Sequence, residues 1–317
     1  MSTPGIKILE PGLLSTLQDN GRFGQTQLGL SNGGVADKHS YYWLNRLLGN
    51  SNNAPCIEIT GGGFSFVANS SLIFALTGAE MPLSINGHMV ERWRSHSLKA
   101  GDRVDIDFAQ GGVRSYLGFQ GGFAQAKQFG SVSTVLREGI GGIDGCRLSR
   151  GLQLSVAEFK AGSNWRHLRL AEQHRPRFSN SATLRLIPTY QQQWFSRLQQ
   201  RRFFSIRYRV SSQADRMGYR LSGAAIQCQP PKPLLSEGIA LGAVQIPPDG
   251  QPIILLQDRQ TIGGYPKIGA VLSLDIDVLM QTQQGAEIRF VPISMEQAHN
   301  QLHLNKARRE AITLEYC

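Results

Sequence analysis

The stretch Gln245–Gly269, QIPPDGQPIILLQDRQTIGGYPKIG, gives the strongest indication of how this chain folds. Its apolar run Ile253–Leu256 follows a Pro-Pro-Asp-Gly turn and is long enough for a buried β-strand. Charged and amide side chains follow the run at once, and a pair of glycines comes next. Because glycine has no Cβ, its backbone N–H group can approach a ligand closely. The stretch therefore predicts a buried strand that ends at a ligand site. The alternative is a plain β-turn, with Asp258 and Arg259 as a solvated ion pair.

The composition is typical of a globular, mainly β protein. The chain has 317 residues, of which 41% are hydrophobic and 18% charged, and this length is enough for two domains or one large one. The 35 glycines are spread along the chain, often in pairs, rather than gathered in one linker. Strands separated by glycine turns produce that pattern. The predicted fold class is mainly β with a few helices.

The cysteine spacing, the hydropathy and the net charge argue against a metal site, membrane contact and nucleic-acid binding. The four cysteines are far apart and form no CxxC or Cys/His cluster, so we expect reduced thiols and no metal site. No apolar signal core and no apolar segment of about 18 residues is present, so we expect a cytoplasmic protein without membrane contact. The net charge of +10 favours an anionic substrate or an acidic subunit surface. Nucleic acid is disfavoured because the densest basic stretch lacks the stacking aromatics of single-strand binders.

Two β domains are predicted, at residues 1–163 and 183–317. The segment 164–182 between them is rich in Arg, His and Ser and poor in periodicity, so it is interpreted as a connection. Helices are predicted at Asp37–Leu48, Gln191–Gln200 and Ile276–Thr282, and a fourth after a capping box at Ser294. Strands are predicted at Leu72–Thr77, Leu83–Ile85, Val104–Phe108, Arg114–Phe119, Phe204–Val210, Val244–Ile246 and Ile253–Leu256.

Most standard catalytic motifs are missing from the sequence. It contains no GxxxxGK[ST] phosphate loop, no GxSxG nucleophile elbow and no HExxH zinc motif. His299 and His303 are spaced i,i+4 on the predicted C-terminal helix, but no third ligand is near, so a solvated helix face is the preferred interpretation.

Ordered blocks along the chain resemble the allophanate hydrolase subunit 2 family. This family comprises the C subunit of bacterial ATP-dependent 5-oxoprolinase, also called KipI antagonist, and part of the biotin-dependent carboxyltransferase region of urea carboxylase. The blocks that carry the resemblance are Leu17–Gly24, Trp43–Asn50, Ile57–Thr60, Leu76–Ala79, Arg114–Leu117, Gly139–Gly142, Asp215–Leu221, Leu235–Gly238 and the opening stretch. The resemblance extends from Gly12 to about Ala298, and it is greatest to the stand-alone 5-oxoprolinase subunit.

The resemblance implies a fold, a reaction and partners. The implied fold is two cyclophilin-like β-barrel units. The implied function is that of a subunit of an ATP-dependent 5-oxoprolinase, which converts 5-oxo-L-proline, ATP and water to L-glutamate together with a KipI-like B subunit and a LamB/YcsF-like A subunit. ATP is the implied cofactor, with Mg²⁺ in the assembled complex, and the chain alone is expected to be inactive. The alternatives are a regulatory protein that sequesters a KipI-like kinase inhibitor, or a carboxyltransferase component that uses carboxybiotin.

Opening an unreactive amide requires cationic or N–H donors around a developing negative charge. We therefore expect the catalytic residues to be Asp258, Lys267 and Arg259. Replacing Asp258 or Lys267 by alanine is expected to lower turnover and to leave assembly and melting temperature nearly unchanged. The expected substrate-binding residues lie on the same loop or in two further segments that combine glycine with charge: Gln260, Thr261, Gly263, Gly264, Tyr265, Asp215, Arg216 and Asp37. A purely structural ion pair at Asp215-Arg216 is the alternative.

Three positions depart from the family pattern. Gly33 replaces a serine or cysteine and so removes a hydroxyl or thiol. Ile262 stands where the family commonly has a second threonine, and Gln120 stands where it commonly has alanine. The first departure argues against a catalytic side chain at position 33.

Overall fold

The computed structural model describes residues 3–158, 165–230 and 234–317, and it confirms a mainly β protein with few helices. The strands up to residue 169 are β1 (Gly5–Pro11), β2 (Leu14–Gln18), β3 (Cys56–Thr60), β4 (Phe64–Ala68), β5 (Leu72–Gly78), β6 (Leu83–Ile85), β7 (His88–Val90), β8 (Ser95–Leu98), β9 (Arg103–Ile106), β10 (Arg114–Phe119), β11 (Gln153–Ser155) and β12 (Leu168–Arg169). The later strands are β13 (Ser181–Pro188), β14 (Tyr208–Ala214), β15 (Gly218–Ser222), β16 (Glu237–Gly238), β17 (Ala243–Gln245), β18 (Ile253–Leu255), β19 (Ile262–Gly263), β20 (Lys267–Val271), β21 (Glu287–Pro292) and β22 (Glu315–Tyr316).

The helices of the described chain are α1 (Lys38–Leu48), α2 (Arg197–Ser205), α3 (Ser273–Leu279) and α4 (Met295–Ala311). Short 3₁₀ turns lie at Thr26–Leu28, Leu136–Glu138, Glu172–His174 and Tyr190–Trp194. No helix within the described ranges is long and apolar enough to cross a membrane.

The chain forms two compact units. The first comprises residues 1–23, 33–178 and 313–317, and the second comprises residues 24–32 and 179–312. The division between Phe178 and Ser179 falls inside the segment 164–182 that the sequence marks as a connection, whose first residue, Asn164, lies outside the described residues. Residues 24–32 belong to the second unit and residues 313–317 to the first, although most of the neighbouring sequence belongs to the other unit. Nothing in the sequence predicts these two assignments.

The first unit is built from two sheets and one helix. One sheet has the strand order β11-β1-β4-β9-β6-β7 and the other has the order β2-β3-β10-β5-β8. Apolar side chains of both sheets, including Phe66, Phe74 and Phe119, form one continuous core. The helix α1 packs its Leu44 and Leu48 against the second sheet in a separate cluster.

The second unit contains a closed barrel with the strand order β13-β20-β17-β18-β15-β14-β21. The pair β13 and β21 is parallel, while the other paired strands of the barrel are antiparallel. Helix α2 contributes Phe203, which stacks on Phe290 of β21 with ring centroids 4.6 Å apart. Such aromatic pairs add to the free energy of burial, so they help to fix the helix on the barrel.

Three boundaries predicted in this unit are wrong. The predicted helix over residues 191–200 is interrupted at Phe195, because Ser196 accepts a hydrogen bond from Gln199 N and caps a new helix there. That helix then continues to Ser205, so the strand predicted to begin at Phe204 begins instead at Tyr208. Helix α3 begins at Ser273, three residues before the predicted start.

Candidate functional site

The loop after β18 is held by a buried ion pair. The Asp258 carboxylate accepts hydrogen bonds from Nε and Nη2 of Arg216, both at 2.9 Å. The two backbones are also joined, because Asp258 N donates to Arg216 O at 2.9 Å. Both side chains are 8% exposed. A planar guanidinium that binds both carboxylate oxygens is a strong and geometrically specific contact, so it fixes this loop against the turn before β15.

Asp215 shapes that turn rather than pairing with Arg216. Its Oδ1 accepts hydrogen bonds from the backbone N–H groups of Met217 and Gly218, at 2.8 and 3.1 Å. A side chain that accepts from the backbone two residues on forms an Asx turn, which stabilises a tight reversal. The structural ion pair is therefore Arg216–Asp258, and the alternative of an Asp215–Arg216 ion pair is wrong, because the Asp215 carboxylate accepts from the backbone of this turn.

Arg259 is anchored to backbone carbonyls within the second unit. Its Nε donates to Ile239 O and its Nη1 to Leu256 O, both at 3.1 Å, and its Nη2 donates to Asn32 Oδ1 at 3.1 Å. The Ser31 hydroxyl donates to Arg259 O at 2.8 Å. Burial lowers the pKa of Arg259, an effect that the charge of Asp258 opposes. These contacts give Arg259 a packing role, because each nitrogen of its guanidinium group already has a protein acceptor.

Asp37 belongs to the first unit and caps α1. Its Oδ1 accepts from Ser40 N at 2.9 Å and its Oδ2 from the Ser40 hydroxyl at 2.6 Å, while its own N donates to the Tyr116 hydroxyl at 2.7 Å. The residue is buried. The predicted helix cap is confirmed, and it accounts for the carboxylate at this position.

Lys267 lies at the start of β20 and forms the second ion pair of the loop. Its Nζ is 2.5 Å from Glu237 Oε1 and donates to Gly238 O at 3.4 Å. Its backbone N donates to Gln191 Oε1 at 2.7 Å, and its backbone O accepts from the Thr189 hydroxyl at 2.8 Å. The lysine is 7% exposed, which is unusual for this residue type unless it is paired.

Glu237 is the centre of a polar cluster that sequence reasoning did not assign to the site. It also accepts hydrogen bonds from the Tyr190 hydroxyl and from Gln191 Nε2. Burial acts to raise the pKa of Glu237, but the hydrogen bonds from Lys267 and Tyr190 outweigh it, and the pKa is lowered. The hydrogen bond that the Tyr190 hydroxyl donates to Glu237 also raises the pKa of Tyr190. Glu237 was visible in the block Leu235–Gly238, but nothing in the sequence relates that block to Lys267.

The predicted binding loop forms a ribbon that carries Glu237. Strand β19 pairs with β16 so that Gly263 lies opposite Glu237, and Thr261 O accepts a hydrogen bond from Ile239 N at 3.0 Å. A Cβ on Gly263 would lie 2.5 Å from Ile239 Cδ1 and 2.9 Å from Gln245 Nε2. A Cβ at position 263 would therefore require the ends of the buried Ile239 and Gln245 side chains to shift, so the constraint comes from packing rather than from a positive φ angle.

The rest of the ribbon is more open. A Cβ on Gly264 would meet no atom nearer than 3.5 Å. Gln260 Nε2 lies 3.6 Å from the Cβ position of Gly263, and Tyr265 is about half exposed. The segment Gly264–Pro266 also lines a cleft of about 790 Å³, together with Ala225–Pro230, Leu234 and Ile246–Gly250. A cleft of this size accommodates a small metabolite.

The chain matches the family model of the carboxyltransferase domain, subdomains A and B, over residues 28–292. It is 35% identical to the C subunit of 5-oxoprolinase from Haemophilus influenzae, covering 96% of this chain and 98% of that protein. It is 37% identical to the C subunit of 5-oxoprolinase from Escherichia coli, covering 92% and 93%. The fold matches that of K. lactis urea amidolyase with a TM-score of 0.90, at 22% identity, over 97% of this chain and 20% of that one. The chain belongs to the carboxyltransferase subdomain A and B family, within which it is similar to the C subunits of 5-oxoprolinases.

Proposed function

We propose that this chain is the C-type subunit of an ATP-dependent 5-oxoprolinase. The complex would hydrolyse 5-oxo-L-proline to L-glutamate with a KipI-like B subunit and a LamB/YcsF-like A subunit. The proposal is supported by two relatives that match over nearly their whole length and carry that subunit name. Within the chain, the observation that carries it is the pairing of the buried Lys267 with Glu237 on the ribbon.

Hydrolysis of the 5-oxoproline ring amide requires a positive charge beside the lactam oxygen. As the ring amide is activated, this oxygen gains negative charge, and a fixed cation or N–H donor lowers the barrier most where water is excluded. A lysine ammonium has three protons, of which Glu237 and Gly238 O take two, and no other acceptor for Nζ is found among the described residues. Lys267 would direct the third at the substrate oxygen, and Glu237 would hold the ammonium in position. ATP, with Mg²⁺, supplies the driving force in the assembled complex.

The test is an assay of the assembled complex. The chain is co-purified with its B-type and A-type partners, and glutamate formation from 5-oxoproline is followed with and without ATP. The purified single chain is expected to be inactive. In the complex, Lys267→Met and Glu237→Gln should each lower kcat by at least about tenfold, or about 1.4 kcal/mol of barrier.

The matched control is Lys306→Met, because Lys306 pairs with Glu310 on the exposed surface of α4 at 4.0 Å. This variant should retain full activity. Full activity of Lys267→Met in an intact complex would place the chemistry elsewhere. Glutamate formation by the single chain would overturn the requirement for partners.

A second candidate function is carboxyl transfer, which is favoured by the description of the matching family model. Biotin on a separate carrier would then be the cofactor, and Lys267 would face the carboxyl group. Decarboxylation of free carboxybiotin by the same preparation, in the absence of 5-oxoproline turnover, would support this candidate over the first.

A further inference from the structure

The first unit has a cleft of about 880 Å³ that is separate from the ribbon of the second unit. Its charged lining residues are Arg92, Arg175, Arg177, Glu80 and Glu172. Trp93, Phe178 and Pro176 contribute apolar walls. Clefts of this volume hold metabolite-sized ligands, and a small number of fixed polar groups on apolar walls gives such sites their specificity.

Two of the arginines are held in place by backbone acceptors. Arg92 Nη1 donates to Ala79 O at 2.8 Å and to Gly78 O at 3.4 Å. Arg175 Nε donates to Leu170 O at 2.9 Å. A guanidinium that is fixed by one edge loses little entropy when its other donors bind an oxyanion, so anchored arginines suit carboxylate and phosphate recognition.

Arg92 and Arg177 keep donors for a ligand, whereas Nη2 of Arg175 pairs with Glu91 Oε1 at 2.5 Å. Among the described residues, no acceptor is found for Nε and Nη2 of Arg92, nor for the side chain of Arg177. Glu80 lines the same cleft and forms no salt bridge with Arg92. Opposite charges that line one cleft without touching leave room for a ligand that offers an oxyanion to the arginines and a donor to the carboxylate.

Backbone strain at the cleft is an independent observation. Trp93 has a φ of 59°, in the left-handed region. A bulky residue rarely adopts this strained conformation, which persists where the surrounding structure enforces it. Here Trp93 N donates to Leu76 O at 2.8 Å and Trp93 O accepts from Leu170 N at 2.9 Å. The strained residue directly follows Arg92, and strain of this kind clusters at ligand clamps.

We propose that this arginine cleft binds an anionic metabolite, whose carboxylate or phosphate group is held by Arg92 and Arg177 and whose hydroxyl or amino group is held by Glu80. The proposal concerns a site in the first unit and does not rest on the proposed function. Burial lowers the pKa of Arg92, which is in keeping with a guanidinium withdrawn from bulk water, although Arg remains charged at neutral pH.

The test is titration calorimetry of the full chain with inorganic phosphate, ADP and L-glutamate at low salt. At least one probe should bind saturably with a Kd at or below about 1 mM. Tighter binding of ADP or phosphate would identify a phosphate ligand, and tighter binding of glutamate would identify a carboxylate ligand. Saturation by none of the three up to about 10 mM would overturn the proposal.

Substitutions decide whether the binding occurs in this cleft. Arg92→Met and Arg177→Met should each weaken the best probe at least tenfold. Arg177 is exposed, so its variant tests the site even if Arg92→Met fails to fold. The matched control is Arg150→Met, because Arg150 is 70% exposed and pairs with Glu10. Equal affinity of wild type and Arg177→Met would show that the anion binds elsewhere.

Discussion

The Arg216–Asp258 ion pair should be a determinant of stability in the second unit. Asp258→Ala removes the carboxylate that accepts two hydrogen bonds from Arg216 and leaves a guanidinium with 8% side-chain exposure. Removing one partner of a buried pair costs about 3–5 kcal/mol, because the remaining charge stays shielded from water and loses its counterion. This is a large part of the roughly 5–15 kcal/mol that stabilises an ordinary domain.

The expected shift can be measured as a melting temperature. A unit of roughly 140 residues has an unfolding entropy of about 0.3 kcal/mol/K, so this loss corresponds to about 10–17 °C in Tm. The double variant Arg216→Met/Asp258→Leu should recover most of the loss, since apolar replacements of buried pairs are often neutral. Glu310→Ala breaks an exposed pair in the same unit and should cost less than about 1 kcal/mol.

Two outcomes would refute the reasoning. One is an Asp258→Ala variant that unfolds within about 1 kcal/mol of wild type. The other is a double variant that is as unstable as the single one, since that would assign the loss to packing rather than to the broken ion pair. The experiment also revises an expectation from sequence: loss of activity in Asp258→Ala does not identify a catalytic carboxylate unless the variant is shown to be folded.

Further predictions concern packing, pH and thiol reactivity. Gly263→Ala should destabilise by about 1–3 kcal/mol through the close contacts that a Cβ would make, while Gly264→Ala should change the unfolding free energy by less than about 0.5 kcal/mol. Folding lowers the pKa of Glu237 from 4.5, so the stabilisation by its carboxylate is present above that pH and is lost as the pH falls through the folded-state pKa. The difference in melting temperature between wild type and Glu237→Gln should therefore be present at pH 7 and should shrink on acidification below pH 4.5. An aromatic disulfide reagent should modify the exposed Cys146 in the native protein, but Cys56 only after denaturation, because burial raises the pKa of the Cys56 thiol. Rapid labelling of Cys56 in the native protein would contradict its burial.

The sequence predicts those features that depend on local chemistry. Asp37 caps α1 and Gly49 ends it with a φ of 63°, as an N-cap aspartate and a C-terminal glycine require. Ser294 and Gln297 form the predicted capping box of α4. The apolar run Ile253–Leu256 contains the buried strand β18, because a short run of β-branched and apolar residues after a turn favours a strand over a helix.

The exact ends of elements were less predictable where two local signals compete. Phe203 and Phe204 resemble the start of a strand, since aromatic residues favour sheets. In the structure they complete α2, because Ser196 starts a helix and Phe203 then stacks on Phe290 of β21. The burial of that ring against a partner distant in sequence decides the conformation, and no local pattern contains this information.

The candidate site could be predicted only in part, because its contacts also join residues that are distant along the chain. Asp258 and Lys267 belong to one loop, and their proximity along the chain predicts a shared site. In the structure, however, each charge pairs with a residue that is distant along the chain: Asp258 with Arg216 of the turn before β15, and Lys267 with Glu237 of the ribbon. The two charges therefore have different roles. The carboxylate neutralises a buried guanidinium, while the ammonium lies beside Glu237, whose position in the sequence gives no indication of this contact. A loop rich in charge and glycine can indicate a candidate site and still misassign its residues, because long-range contacts, which local spacing does not contain, decide the partner of each charge.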